Sequence, residues 1–209
     1  MGDTKVQVAG EELLLLPERA VFWSKRSVLF LSDLHLGKAG HFRKHGIPIS
    51  RKVHLVDLEN LDMLIRANRP ERVLLLGDLF HSYKNEEWGD FLDFLDYHKE
   101  IEFTLVQGNH DILVDYPKEL KVVPKLIEGP FSFSHIREED AHYNISGHIH
   151  PGVTIRGKAR QGITMPCFLF SKEYGLLPAF GQFTGMKKIR PLRHDRVFAI
   201  ADRQVIELT

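Results

Sequence analysis

The chain has 209 residues, 28 Lys and Arg against 28 Asp and Glu, 43% hydrophobic residues, 12 histidines and one cysteine. This is the composition of an ordinary globular protein, in which roughly 70% of the unfolded surface can be buried; a single domain over 1–209 is the default. With Cys167 alone there is no internal disulfide and no thiolate zinc cluster, and net neutrality argues against a strongly basic nucleic-acid-coating protein. The opening Met1-Gly2-Asp3-Thr4-Lys5-Val6 and the short early apolar run at 13–16 predict no signal peptide, lipid anchor or membrane span, so a cytoplasmic location is expected.

Short apolar runs at 13–16, 20–23 and 28–31 read as successive strands with turns between them. Val53, Val56, Leu61, Leu64 and Ile65 then recur near helical spacing until Asn68-Arg69-Pro70, which predicts a helix over about 50–68. The run 73–76 has the look of a central parallel strand. Trp88, Phe91, Leu92 and Leu95 follow at i, i+3, i+4 and i+7 as another helix, and 101–106 is the next strand. Beyond Gly108 helical periodicity nearly vanishes. Strands are expected at 131–134, 143–146, 153–155, 166–171, 176–180, 197–201 and 205–208, mainly antiparallel, so that a βαβ first half packs against a second sheet as a sandwich with outer helices.

Polar residues cluster where these strands end. Residues 28–31 run into Ser32-Asp33-Leu34-His35, 73–76 into Gly77-Asp78, and 101–106 into Gln107-Gly108-Asn109-His110-Asp111. Residues 131–134 run into His135, and 143–146 into Gly147-His148-Ile149-His150-Pro151. The carboxyl ends of parallel strands line the ligand crevice of an α/β sheet, so five segments are expected to deliver carboxylates, a carboxamide and imidazoles to one rim. Such a set makes a mixed N/O metal site. In Asp33-Leu34-His35 and His148-Ile149-His150 an extended chain would point alternate side chains the same way. Singly, each of these features has a bland reading as a turn or a surface histidine; in order, at five strand ends, they point to one shared site.

The ordered set D-x-H, G-D, G-N-H-D, a later His and G-H-x-H, spanning Asp33 to His150, resembles the calcineurin-like metallophosphoesterases. Asp33-Leu34-His35-Leu36-Gly37-Lys38-Ala39, Gly147-His148-Ile149-His150-Pro151 and Leu177-Pro178-Ala179-Phe180-Gly181-Gln182-Phe183-Thr184-Gly185 are similar to the DNA ligase-associated, PdeM-like branch of that family. The resemblance implies an α/β fold with two mixed sheets flanked by helices in four layers, α/β/β/α. It further implies a two-metal phosphoesterase of a DNA-repair system, with ligase-associated helicase and exonuclease partners. Carried over by position, Asp33, His35, Asp78 and His150 would hold one ion, and Asp78, Asn109, His135 and His148 the other. His110 would be the catalytic acid, steadied by Asp111. His142 is a sequence rival to His135, whose place after 131–134 favours it.

Two divalent ions lower the pKa of a shared water, which becomes the nucleophile, and clamp the attacking and leaving oxygens of an in-line displacement. Protonated His110 would neutralise the departing alkoxide. The resemblance favours Mn²⁺, with Fe or Zn also compatible with the donors. Residues 37–52 carry Lys38, Arg43, Lys44, Arg51 and Lys52 without an acid, and 187–196 carry five basic residues against Asp195, whereas 85–102 hold seven acids and one lysine. Bordering the crevice, the basic segments would attract a polyanion, with Phe42 and Phe183 as stacking surfaces; the plainer reading is of solvated loops and core rings. Lys38, Arg43 and His81 are the candidates for contact with substrate phosphate. The expected activity is phosphodiester hydrolysis, on single-stranded or damaged DNA. A phosphomonoesterase or cyclic-nucleotide phosphodiesterase is the near alternative, and a non-catalytic metal-binding scaffold the alternative of another class. The segment 177–185 has no titratable group and reads as a shaped loop, and Cys167 as buried and inert.

Overall fold

Strand alternation decides how the layers stack. In the computed structural model, which describes residues 2–37, 53–80, 86–111, 116–157 and 161–208, the first sheet contains β1 (Thr4–Val8), β2 (Glu11–Leu16), β3 (Ala20–Trp23), β4 (Val28–Leu31), β5 (Arg72–Leu75), β6 (Glu102–Val106) and β7 (Leu120–Val123). They lie side by side in chain order, antiparallel from β1 to β4 and parallel from β4 to β7. The parallel pairs need crossovers, and helices α1 (Val53–Asn68) and α2 (Glu86–Tyr97) supply two of them. Along β4, β5 and β6 the side chains Leu29, Leu31, Val73, Leu75, Phe103 and Leu105 face Leu58, Leu61, Leu64 and Ile65 of α1 and Phe91 and Leu95 of α2. The intervening Val28, Phe30, Leu74, Leu76 and Val106 turn the other way, into the core between the sheets.

The second sheet is assembled from β8 (Leu126–Glu128), β9 (Phe131–Phe133), β10 (Tyr143–Ser146), β11 (Pro151–Arg156), β12 (Gly162–Phe170), β13 (Tyr174–Leu176), β14 (Lys187–Lys188), β15 (Arg196–Ala201) and β16 (Gln204–Leu208). It meets the first through edge-to-face pairs, Trp23 on Phe131 at 5.0 Å and Phe30 on Phe133 at 5.3 Å between ring centres. Such pairs contribute about 0.5–1.5 kcal/mol each beyond their burial. Cys167 is buried in this sheet, and burial pushes its thiol up to about 12. The described residues supply three of the four expected layers: both helices, the first sheet and the second. No helix among them is long and apolar enough to cross a membrane.

Two expectations change and one is sharpened. The second sheet is mixed, with antiparallel pairs in the majority as expected, while β9, β10 and β13 run parallel to one another. That brings their carboxyl ends to a common edge. The strand expected over 176–180 stops at Leu176, where the backbone leaves the ladder for other partners: Leu177 N–H donates to Ser146 O (2.8 Å), Phe180 N–H to Ser32 O (2.8 Å) and Gly181 N–H to Asp33 O (3.1 Å). Strands β1, β7, β8 and β14 carry short or polar-interrupted patterns and were not foreseen, β1 because Val6 and Val8 alternate with exposed Lys5 and Gln7.

Candidate metal centre

The carboxyl ends of β4, β5 and β6 in one sheet, and of β9 and β10 in the other, deliver the polar residues anticipated from the sequence. Two groups form. Asp33, His35 and His150 place one donor atom each within 4.8 Å of one another, and so do Asp78, His135 and His148. His150 Nε2 is 3.1 Å from Asp33 Oδ1 and 3.4 Å from His35 Nε2. In the second group His135 Nε2 lies 3.3 Å from Asp78 Oδ1, 3.1 Å from His148 Nδ1 and 3.1 Å from Asn109 Oδ1, so Asn109 joins by distance. The groups share a wall, with Asp33 Oδ1 4.0 Å from His135 Nδ1.

The hydrogen bonding fits cations. His150 Nδ1–H donates to Gly185 O (3.2 Å) and His135 Nδ1–H to Leu76 O (2.9 Å), which leaves both Nε2 lone pairs facing inward. Asp33 Oδ1, fully buried, receives no hydrogen bond although His150 Nε2 is beside it. Lone pairs opposed at 3.1 Å repel unless a positive charge lies among them, and buried acceptors left in this way call for an ion. A proton takes part of that role when no metal is bound. Burial pulls the His135 pKa down, yet the Asp78 hydrogen bond and the Asp33 charge outweigh it and raise it overall. Burial likewise pushes Asp78 up, but the hydrogen bonds from His135 and the His110 N–H bring it down to about 2. His148 is lowered by burial and by His135, which keeps its imidazole neutral as a ligand requires.

One backbone bond braces one group against the other, His148 N–H donating to Asp33 Oδ2 (2.9 Å), and a second, from His110 N–H to Asp78 Oδ1 (3.0 Å), fixes the His110 turn on the Asp78 carboxylate. The glycines before the ligands allow this closeness. Gly77 has φ 78°, and a Cβ there would meet the His135 ring; a Cβ on Gly147 would meet Asp33 Oδ2 and Ser32. The extended D-x-H and H-x-H segments expected from alternation are absent. Asp33, His35, Asp78, His148 and His150 all have positive φ, between 49° and 64°, so tight turns rather than strand pleat converge the side chains.

His110 projects at the rim with its ring 6.0 Å from that of His35. Asp111, expected to be catalytic and to steady His110, holds the backbone of the neighbouring turns. It is buried, with Oδ1 accepting from Leu79 N (2.9 Å) and Phe80 N (3.4 Å) and Oδ2 from Gly108 N (2.8 Å), so it ties the Asp78 turn to the Asn109 turn. His142 is no rival to His135: it pairs with Asp140 (3.2 Å) at the start of β10, the end opposite His148. Lys38, Phe42, Arg43 and His81 lie outside the described residues. The basic segment 187–196 is anchored beside the centre, since β14 pairs parallel with β11 and Lys187 N–H donates to His150 O (3.0 Å). Sequence reasoning missed the carbonyls of Leu76 and Gly185, which orient two histidines through groups every residue carries.

Comparison with known proteins agrees. The profile for calcineurin-like phosphoesterases matches residues 26–153. Over its whole length the chain resembles the crystal structure of nuclease MPE from Pseudomonas putida, at 28% identity and a TM-score of 0.84, covering 99% of this chain and 100% of that one. YfcE, a phosphoesterase from E. coli, aligns at 15% identity over 87% of this chain and 97% of its own, TM-score 0.44. A predicted phosphoesterase from Streptococcus pneumoniae aligns at 14% over 87% and 94%, TM-score 0.35. No curated protein matches. A profile match over more than half the chain, covering both D-x-H and G-H-x-H, places this protein in the calcineurin-like phosphoesterase family.

Proposed function

We propose that this metallophosphoesterase is a two-cation phosphodiesterase that cuts DNA, single-stranded or damaged, and belongs to the ligase-associated, PdeM-like branch. The observation that carries the reading is the pair of His/Asp groups sharing one wall, with acceptors opposed in each. Likeness to a nuclease along the entire chain supports DNA as substrate. Asp33, His35 and His150 would hold one cation and Asn109, His135 and His148 the other, with Asp78 counted in both sets.

Two cations held there would supply an acidified water and would offset charge on the phosphoryl oxygens, Mn²⁺ being the favoured ion and Fe or Zn compatible with the donors. His110, its backbone pinned to Asp78, donates a proton to the leaving alkoxide as the P–O bond breaks. Asp111 fixes the two turns that carry Asp78, Asn109 and His110. Exposed Lys187 and Lys188 follow the backbone away from His150 and attract further phosphates, with exposed Phe183 nearby for base stacking. Lys38, Arg43 and His81 are assigned to the same substrate. A ligase-associated helicase and exonuclease are the proposed partners, in the cytoplasm.

Purified protein with Mn²⁺ is to be offered bis-p-nitrophenyl phosphate, p-nitrophenyl phosphate, 2′,3′-cyclic nucleotides and labelled single-stranded DNA in parallel. Cleavage of the synthetic diester and of the DNA is expected. Robust monoester or cyclic-nucleotide turnover without either would replace the DNA reading by a small-substrate one, and metal binding without any turnover would leave a scaffold.

A further inference from the structure

Arg19 sits in the turn between β2 and β3 at φ 69°, a conformation glycine takes without strain, so the side chain rather than the turn explains an arginine there. The turn closes with Arg19 N–H donating to Leu16 O (3.0 Å). Because β3 runs antiparallel to β4 and Val21 is paired with Phe30, the turn lies at the end of the sheet where β4 runs into Ser32 and Asp33. From that half-buried position the guanidinium donates through Nη1 to Ala179 O (3.3 Å) and Gly181 O (3.5 Å).

Those two carbonyls belong to the segment 177–185, which the chemistry above leaves without a task. Its N–H groups at Phe180 and Gly181 hold the carbonyls of Ser32 and Asp33, and Ser32 Oγ–H donates to Pro178 O (3.4 Å). Buried Asp57 of α1 accepts from Gln182 N (3.3 Å), and its charge attracts that of Arg19. At the far end Gly185 O orients the His150 ring. The segment is thus tied at its middle to the backbone of Asp33 and at its far end to the imidazole of His150, two donors of a single group. The other group is held mainly by different means, Leu76 O on His135 and Asp111 on the turns beside Asp78, the segment reaching it through Leu177 N–H on Ser146 O.

Resting on the two-cation reading, we propose that Arg19, with Asp57, is a positioning pair that sets the affinity of the Asp33/His35/His150 group for its cation through the segment 177–185. The Asp78/His135/His148 group, linked to the segment through Leu177 N–H on Ser146 O and through His148 N–H on Asp33 Oδ2, depends on it far less.

Mn²⁺ titration of the metal-free protein, followed by calorimetry and by the electron spin resonance of free Mn²⁺, tests this on Arg19→Ala, Arg19→Lys and Asp57→Asn, each alone and in a His150→Ala background. Loss of a support behind a ligand typically costs about 10–100-fold in metal affinity. Arg19→Ala is expected to weaken one of two sites to that extent and leave the other within about twofold; Lys recovers part of the loss, and in the His150→Ala background Arg19→Ala changes nothing further. The melting temperature of each metal-free variant is recorded alongside. Equal weakening of both sites in step with a lowered melting temperature would reduce Arg19 to a stabilising clamp, and unchanged affinity at both sites would refute the proposal outright. Failure of the unaltered protein to bind two Mn²⁺ ions would instead overturn the two-cation reading, and the inference with it.

Discussion

Five candidate ligands occupy left-handed backbone positions, and their residue types explain how that is tolerated. Asp and His accept such φ values more readily than branched residues, at roughly 1–2 kcal/mol each relative to ordinary conformations. Asp78→Asn fits the same turn, so it isolates the charge. It is expected to lower bound metal as read by elemental analysis, whereas His110→Ala keeps both ions and reduces turnover on bis-p-nitrophenyl phosphate by about 10²–10⁴-fold, the range for a lost general acid. Unchanged turnover in His110→Ala would remove it from the mechanism. Acid sensitivity follows from the same residues. Asp78, lowered from 3.8 to about 2 in the metal-free protein, contributes stability that is complete above about pH 4 and lost as pH falls through about 2, about 2 kcal/mol in all. His135, raised from 6.5, works in the opposite direction: its contribution is complete below 6.5 and disappears as pH rises through its folded value. Urea unfolding in chelator is therefore expected to give a stability maximum between about pH 4 and 6.5, flattened on the acid side by Asp78→Asn.

The strand-end logic brought Asp33, His35, Asp78, Asn109, His135, His148 and His150 together from the sequence, because imidazole and carboxylate announce their chemistry wherever they stand. Their route into the site was not legible in the same way. Alternation suggested pleated segments, but the elements end before the ligands, and tight turns with glycine at 77 and 147 do the converging. The segment 177–185 shows the limit most clearly: it works through backbone N–H and C=O groups, which no residue type reveals. Gly147→Ala tests the turn geometry. Its Cβ would press on Asp33 Oδ2, an oxygen that His148 N–H already occupies, so looser Mn²⁺ binding is expected with little change in far-ultraviolet circular dichroism. Wild-type affinity in that variant would show that the turns can widen without cost.

Among the described residues the seven strands up to Val123 form one sheet and those from Leu126 onward the other, with the polypeptide crossing between them at Pro124 and Lys125. Each candidate metal group draws on both. Asp33 and His35 meet His150 from the opposite sheet, and Asp78 meets His135 and His148. Cations bound there join the two halves, and a ligand that binds only the folded form stabilises it by mass action, about 2.7 kcal/mol at a hundredfold excess over its dissociation constant. Excess Mn²⁺ is expected to raise the melting temperature by several degrees over the chelated protein, and His150→Ala to lose part of that gain. No metal-dependent shift would mean the ions do not hold the sheets together.

A chain severed at Lys125 would give two fragments, neither of which owns a complete ligand set. Their reunion, driven by the apolar core both halves share, would be tightened by the ions they lack singly, so manganese would favour the joined pair and a chelator would loosen it.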